Sequence, residues 1–222
     1  MQSSTEIRWF FYERKDIIEI EKWFAGFNLK LSDGKFDRQD YYLKLAGVTS
    51  LGLKIREANK NDERKWVGKL EAKVLVRELD LPSIANGNSG NANQWTKFSF
   101  SLPAGESTLT EILSDLALGD NVVDLNHWIR MDKDRILLMY DLEKKELTKS
   151  NEKINEGCGI ELTALQLEGV VYYSFGLEAF SGSARHQQNL FETLKYVLNE
   201  LKITGLSKQN SLTYPEFLTT KI

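Results

Sequence analysis

Residues 65–77 read KWVGKLEAKVLVR, and this run decides the fold class. Leu70, Ala72, Val74 and Val76 take one set of alternate positions, and Lys69, Glu71, Lys73 and Arg77 take the other. Successive side chains of a β-strand point to opposite faces, so this alternation describes a strand with one apolar and one charged face. A helix would place its apolar residues three and four apart. The same period returns elsewhere. Residues 5–12 set Ile7, Trp9 and Phe11 against Glu6, Arg8 and Phe10. Residues 51–57 set Leu51, Leu53 and Ile55 against Lys54 and Arg56, and residues 95–102 set Phe98 and Phe100 against Lys97, Ser99 and Ser101. Residues 126–141 read as a hairpin turning at Asp132-Lys133-Asp134, and residues 159–167 and 170–180 as a final strand pair. The pattern predicts about eight strands.

Helices are fewer. Thr108 and Glu111 form a capping-box pattern ahead of Leu109, Ile112, Leu113 and Leu116. Residues 184–202 carry Leu190, Leu194, Val197, Leu198 and Leu201 on one stripe, and residues 16–25 carry Ile17, Ile20 and Phe24. The Asn/Gly/Ser-rich stretch 82–94 reads as a flexible loop joining two strands of one domain. At 222 residues with 41% apolar side chains, the chain suits a single α+β domain, mainly antiparallel β, spanning residues 1–222.

Charge and composition exclude several function classes. A net charge of −3 argues against coating nucleic acid through bulk charge. The apolar runs at Trp9 to Tyr12 and Ile136 to Tyr140 are too short to span a bilayer as helices. A lone cysteine, Cys158, and the lack of an apolar leader after Met1 lead to the expectation of a cytoplasmic protein. There is no Walker loop and no Rossmann glycine pattern. His127 and His186 lack further spaced ligands for zinc, and Cys158 lacks a neighbouring base. Ser181-Gly182-Ser183 reads as a turn and helix cap, with phosphate binding at its N–H groups as the alternative. Trp9, Trp23, Trp66, Trp95 and Trp128 read mostly as core or wall residues.

The informative feature is the recurrence of Lys54, Arg56, Lys69, Lys73, Lys97 and Arg130 at alternate positions of separate strands. Two readings are open. These charges lie on a solvated sheet face, balanced by cross-strand acids, or the sheet closes with them inward. In the second case like charges share a low-dielectric lumen and call for an anion.

Several segments resemble a CYTH domain, of the triphosphate tunnel metalloenzyme superfamily. They are Thr5 to Phe10, Asp40-Tyr41-Tyr42, Leu51 to Arg56, Lys69 to Lys73, Ile160-Glu161-Leu162, Phe175 to Glu178 and the ending Ser211 to Leu218, in the expected order. The resemblance implies an eight-stranded closed antiparallel tunnel that binds a triphosphate and a divalent metal, Mg or Mn. Together with the charge pattern, it implies that Lys54, Arg56, Lys69, Lys73, Lys97 and Arg130 grip phosphate, while Glu6, Glu71, Glu161 and Glu178 hold the metal. Glu6 and Glu178 would then be the catalytic carboxylates of a phosphohydrolase acting on tripolyphosphate or an organic triphosphate. The expected partner is a small phosphorylated molecule, without membrane or nucleic acid, and a homodimer is left open. The chain departs from the family at three places. Its opening Glu-x-Glu-x-Lys reads Glu6, Arg8, Phe10, and its late Glu-x-Glu reads Gly176, Glu178. Loss of these acids opens the alternative of a non-catalytic module that binds a phosphorylated ligand or an acidic segment.

Overall fold

The computed structural model describes residues 2–58, 67–79, 81, 84–101, 128–149 and 153–221. Its strands are β1 (Gln2–Phe11), β2 (Arg38–Leu43), β3 (Leu51–Ala58), β4 (Val67–Leu79), β5 (Ala92–Ser101), β6 (Trp128–Asp141), β7 (Glu146–Lys149), β8 (Glu156–Leu167) and β9 (Val170–Ser181). All pairings are antiparallel, and they run β2-β3-β4-β5-β1-β9-β8-β6. A further ladder from β6 to β2, from Arg38 opposite Lys133 to Leu43 opposite Trp128, closes the ring. The fold is therefore an eight-stranded closed antiparallel barrel with β7 added as a short flap on β6. Closure removes the sheet edges that would otherwise invite pairing with other chains.

Alternation divides each strand between two environments. On β1 the odd residues Ile7, Trp9 and Phe11 point outward and join Phe175, Leu177, Ile160 and Leu162 in the main hydrophobic core. That core lies outside the barrel, between its wall and two helices, α1 (Ile18–Ala25) and α2 (His186–Leu201). Ile20 and Phe24 of α1 and Leu190, Leu194, Val197 and Leu198 of α2 supply the covering stripe. The even residues of β1, Glu6 and Arg8, face the lumen, with Phe10 deeper along the same row. On β4 the assignment is the same in kind. Glu71 and Lys73 face inward, and the apolar alternates Val74 and Val76 lie exposed on the outer wall.

A third helix, α3 (Tyr214–Thr219), closes one end of the barrel. Thr213 caps it in a full capping box with Glu216, and Pro215 stands in its first turn. Phe217 stacks on Phe10 with ring centroids 4.1 Å apart, and Met131, Leu165 and Leu167 complete an apolar plug.

Two sequence expectations need correction. Residues 128–141 form one continuous strand rather than a hairpin. Lys133 turns inward to Asp40 and the Tyr42 hydroxyl, and Asp134 turns outward to accept the backbone N–H of Ser32. A neighbouring strand and a loop thus satisfy the charges that alone suggest a turn, a tertiary override of propensity. The stretch 82–94 is not a free loop in its described part. Asn88 donates to the Ile203 carbonyl and accepts from the Leu206 N–H, and Ala92 to Gln94 belong to β5. Polar residues there read as loop because their partners lie more than a hundred positions away. Ser181 to Ser183 form the turn that leads into α2, as their composition suggests: Ser181 accepts from the Ser183 and Arg185 N–H groups, and the Ser183 N–H also goes to Glu156. The helix predicted around Thr108 to Leu116 lies outside the described residues, as do Trp66 and His127. No helix among the described residues is long and apolar enough to cross a membrane.

Phe217 is fully buried between the barrel wall and Phe10. Truncation to Ala should cost about 3–5 kcal/mol, read as a lower urea midpoint. A loss under about 1 kcal/mol would mean that α3 does not plug the barrel.

Candidate functional site: a cation-rich tunnel

Above the plug the lumen opens into a cavity of about 160 Å³. A single water occupies about 10–15 Å³ by this measure, so the space suits a small molecule rather than one structural water. Eight basic side chains line it against four carboxylates. Asp40 lies fully buried among three of those bases and brings the acids to five. Among the described residues, the lumen of this acidic protein thus carries a surplus of three positive charges.

The charges fall into linked groups. In the first, Lys73 Nζ from β4 donates to Glu6 Oε2 of β1 at 2.8 Å and to Glu178 Oε1 of β9 at 2.9 Å. Burial by itself pulls the ammonium down, but the two carboxylates more than reverse this and hold it above the lysine range. In return Lys73 holds Glu178 at about 2.

In the second group Arg8 donates to Glu161 at 2.9 Å and to the Ser174 hydroxyl at 3.0 Å, and Arg135 reaches the same carboxylate at 3.2 Å. Burial would raise Glu161, yet the two guanidiniums keep it well below the usual carboxylate range. Gly176 is the register partner of Arg8 on β9. A Cβ at Gly176 would stand 2.7 Å from Arg8 Cζ, so the missing side chain is the space the guanidinium fills. The two departures from the expected acid pattern are therefore one structural event, a large cation matched to a glycine across a strand pair.

The third group centres on Asp40 of β2. It accepts two hydrogen bonds from Arg38, at 2.9 and 2.7 Å, one from Lys133 at 3.1 Å and a long one from Lys54 at 3.5 Å. Burial raises Asp40, and Lys54, Lys133 and Arg38 together overcome that and hold it far below its ordinary value. Lys133 also lies over the rings of Tyr42 and Tyr214, at 4.9 and 4.0 Å. Glu71 completes the set, 3.1 Å from Lys54 and 3.9 Å from Arg56.

Arg56 is only weakly compensated, with Glu71 3.9 Å away. Burial lowers its pKa, and the guanidiniums of Arg38 and then Arg135 lower it further against the opposing pull of Glu71. Arg56 of β3 thus feels the like charges of Arg38 on β2 and Arg135 on β6, each of which is itself paired with a carboxylate.

Of the residues expected from sequence, Glu6, Lys54, Arg56, Glu71, Lys73, Lys97, Glu161 and Glu178 are brought together in this lumen. Two are not. Lys69 lies on β4 directly across the ladder from Arg56, exposed and off the cavity lining. Arg130 points outward, where it bonds Asp132 at 2.9 Å, because odd residues of β6 face in and even ones face out. Sequence reading missed Arg38, Asp40, Lys133 and Arg135 as site residues. The period-two row Arg38-Asp40-Tyr42 could have revealed the first two, while the false turn at 132–134 hid the others.

The donor set is matched to resident ammonium and guanidinium groups rather than to Mg or Mn. Each of the four expected carboxylates is bonded to a basic side chain, and no group of three or more His, Cys, Asp or Glu converges among the described residues. Hard divalent cations need several oxygen ligands aimed at one point.

A scan against protein-family models finds no match for this chain, and a search of curated proteins finds none. Among solved structures it is similar to the PH1819 protein of Pyrococcus horikoshii OT3, with 15% identity over 98% of this chain and 99% of that one, at a TM-score of 0.45. It is also similar to a Bacillus halodurans protein provisionally named an adenylate cyclase, with 12% identity over 92% and 93% of the chains and a TM-score of 0.37. A chain of the Schizosaccharomyces pombe Mediator head module aligns at 8% identity over 90% and 92%, with a TM-score of 0.43. Likenesses of this strength assign neither family nor function.

Two outcomes test the geometry. Gly176→Ala should destabilise by about 1–3 kcal/mol through overpacking against Arg8, and adding Arg8→Ser should recover part of the loss in urea titration. Strictly additive losses would contradict the contact. Asp40, Glu161 and Glu178 have pKa values depressed by folding. Their contribution is complete above the unfolded carboxylate range and is lost as pH falls through the folded values. Urea midpoints should therefore be flat near neutrality and decline from about pH 4.5 toward about pH 2, where Glu178 titrates. A midpoint unchanged between pH 7 and pH 3 would contradict the pairing.

Proposed function

We propose that the barrel is a receptor for a small, compact, phosphate-bearing polyanion of the triphosphate or polyphosphate class. The ligand sits in the lumen and is held by direct contact with basic side chains. The observation that carries this reading is the crowding of Arg38, Arg56 and Arg135 around a cavity with a net surplus of positive charge. Like charges at partial burial are costly unless an anion joins them. Guanidinium groups suit phosphate oxygens because their planar donors bond two at a time. The ordered segments Thr5 to Phe10, Leu51 to Arg56, Phe175 to Glu178 and Ser211 to Leu218 support descent from the CYTH, or triphosphate tunnel, lineage.

Within that lineage this chain reads as a binding module rather than a metal-dependent hydrolase. Hydrolysis through Glu6 and Glu178 would draw on carboxylates at positions 8 and 176, where Arg8 and Gly176 stand. The proposed setting is the cytoplasm, where such phosphates are abundant reactants and products.

Calorimetry with sodium tripolyphosphate provides the test. One ligand should bind per chain, and Arg56→Ala or Arg38→Ala should weaken it about 10- to 100-fold, the worth of one charge-assisted hydrogen bond. Affinity should fall as salt rises. No phosphate should be released with Mg²⁺ or Mn²⁺ present. Absence of binding by folded protein would overturn the reading, and sustained turnover would overturn its non-catalytic half.

A further inference from the structure

We infer that Lys73 is the tunnel's built-in cation, occupying with its ammonium the position between Glu6 and Glu178 that a divalent ion would need. The inference deepens the receptor reading by assigning how its acidic corner is neutralised without metal. It starts from a convergence across three strands. Glu6 and Glu178 face each other in register on β1 and β9, and Lys73 reaches in from β4 to bond both, at 2.8 and 2.9 Å. Two carboxylates facing each other in a partly buried wall repel strongly unless a cation lies between them. Lys73 supplies that cation covalently, and the Ser4 hydroxyl adds a further bond to Glu178 at 3.1 Å.

An ammonium carries three donors and no acceptor. Two of the Lys73 donors are engaged by the carboxylates, and the side chain lines the cavity with about a quarter of its surface open. One donor remains for a ligand oxygen. Lys73 therefore does two jobs that a bridging metal would otherwise share: it silences the carboxylate pair toward the incoming anion, and it offers the anion one charged contact. On the opposite side Arg8 and Arg135 treat Glu161 in the same way. With both acidic corners internally neutralised, the lumen takes its anion without a divalent cation.

Electron paramagnetic resonance of Mn²⁺ added to the ligand-free protein tests this, because it needs no phosphate and so fails independently of the receptor reading. The wild-type chain should leave the free-ion signal intact, with no site tighter than roughly 1 mM, the weak end of protein cation sites. Lys73→Met keeps the aliphatic stem and frees the carboxylate pair. It should gain a Mn²⁺ site at least tenfold tighter than wild type, and Lys73→Met/Glu178→Gln should lose it again. Tripolyphosphate affinity of the wild type should be unchanged by a chelator, whereas that of Lys73→Met should rise with Mn²⁺. A stoichiometric wild-type Mn²⁺ site that disappears in Glu6→Gln would overturn the inference, and so would a folded Lys73→Met chain that gains no site. If Lys73→Met does not fold, the wild-type titration and its Glu6→Gln control decide alone.

Discussion

Among the described residues, eight basic and five acidic groups share one cavity inside a small closed sheet, and the rest of the structure answers to that constraint. Two like charges about 4 Å apart repel by about 4 kcal/mol at an effective dielectric of 20, against a net stability of about 5–15 kcal/mol for a whole domain. Such a lumen survives only if each carboxylate is given a cation by the surrounding strands. The register provides this. Glu6 faces Glu178 across β1 and β9 with Lys73 between them, Asp40 gathers Arg38, Lys54 and Lys133, and Glu161 gathers Arg8 and Arg135. A slip of one residue in any of these ladders would send the charges into the outer core and the aliphatic side chains into the lumen.

Stability comes from elsewhere. The main core is an outer layer, where Trp9 stacks on Phe175 and the stripes of α1 and α2 cover β1, β8 and β9. The plug of Phe217, Phe10, Met131 and Leu165 seals one end and keeps the inner charges from direct solvent on that side. Apolar burial therefore pays for an interior that is electrostatically strained, a division of labour found where a fold is shaped around a ligand.

The strand faces were legible because alternation is a local signal. Residues 65–77 alone show that Glu71 and Lys73 share a face opposite Val74 and Val76. Whether that face is wet or enclosed is not local, since it depends on the ladder between β2 and β6, whose partners lie about ninety positions apart. The same non-locality hid Lys133 and Arg135. Asp132-Lys133-Asp134 has the composition of a turn, and only the buried Asp40 and Tyr42 on a distant strand explain a lysine held in mid-strand. Arg130 failed for a simpler reason: its parity on β6 could not be counted while a turn was assumed to interrupt the strand. Arg8 and Gly176 were visible as departures, but their meaning as one matched pair required the register between β1 and β9.

The central claim is that an anion belongs among Arg38, Arg56 and Arg135 inside the barrel. Anomalous diffraction from crystals soaked in selenate locates the anion without assuming its identity. The account predicts a strong selenium peak within hydrogen-bond reach of those three guanidiniums. An empty lumen, with selenium only on outer-wall residues such as Arg130, would contradict it.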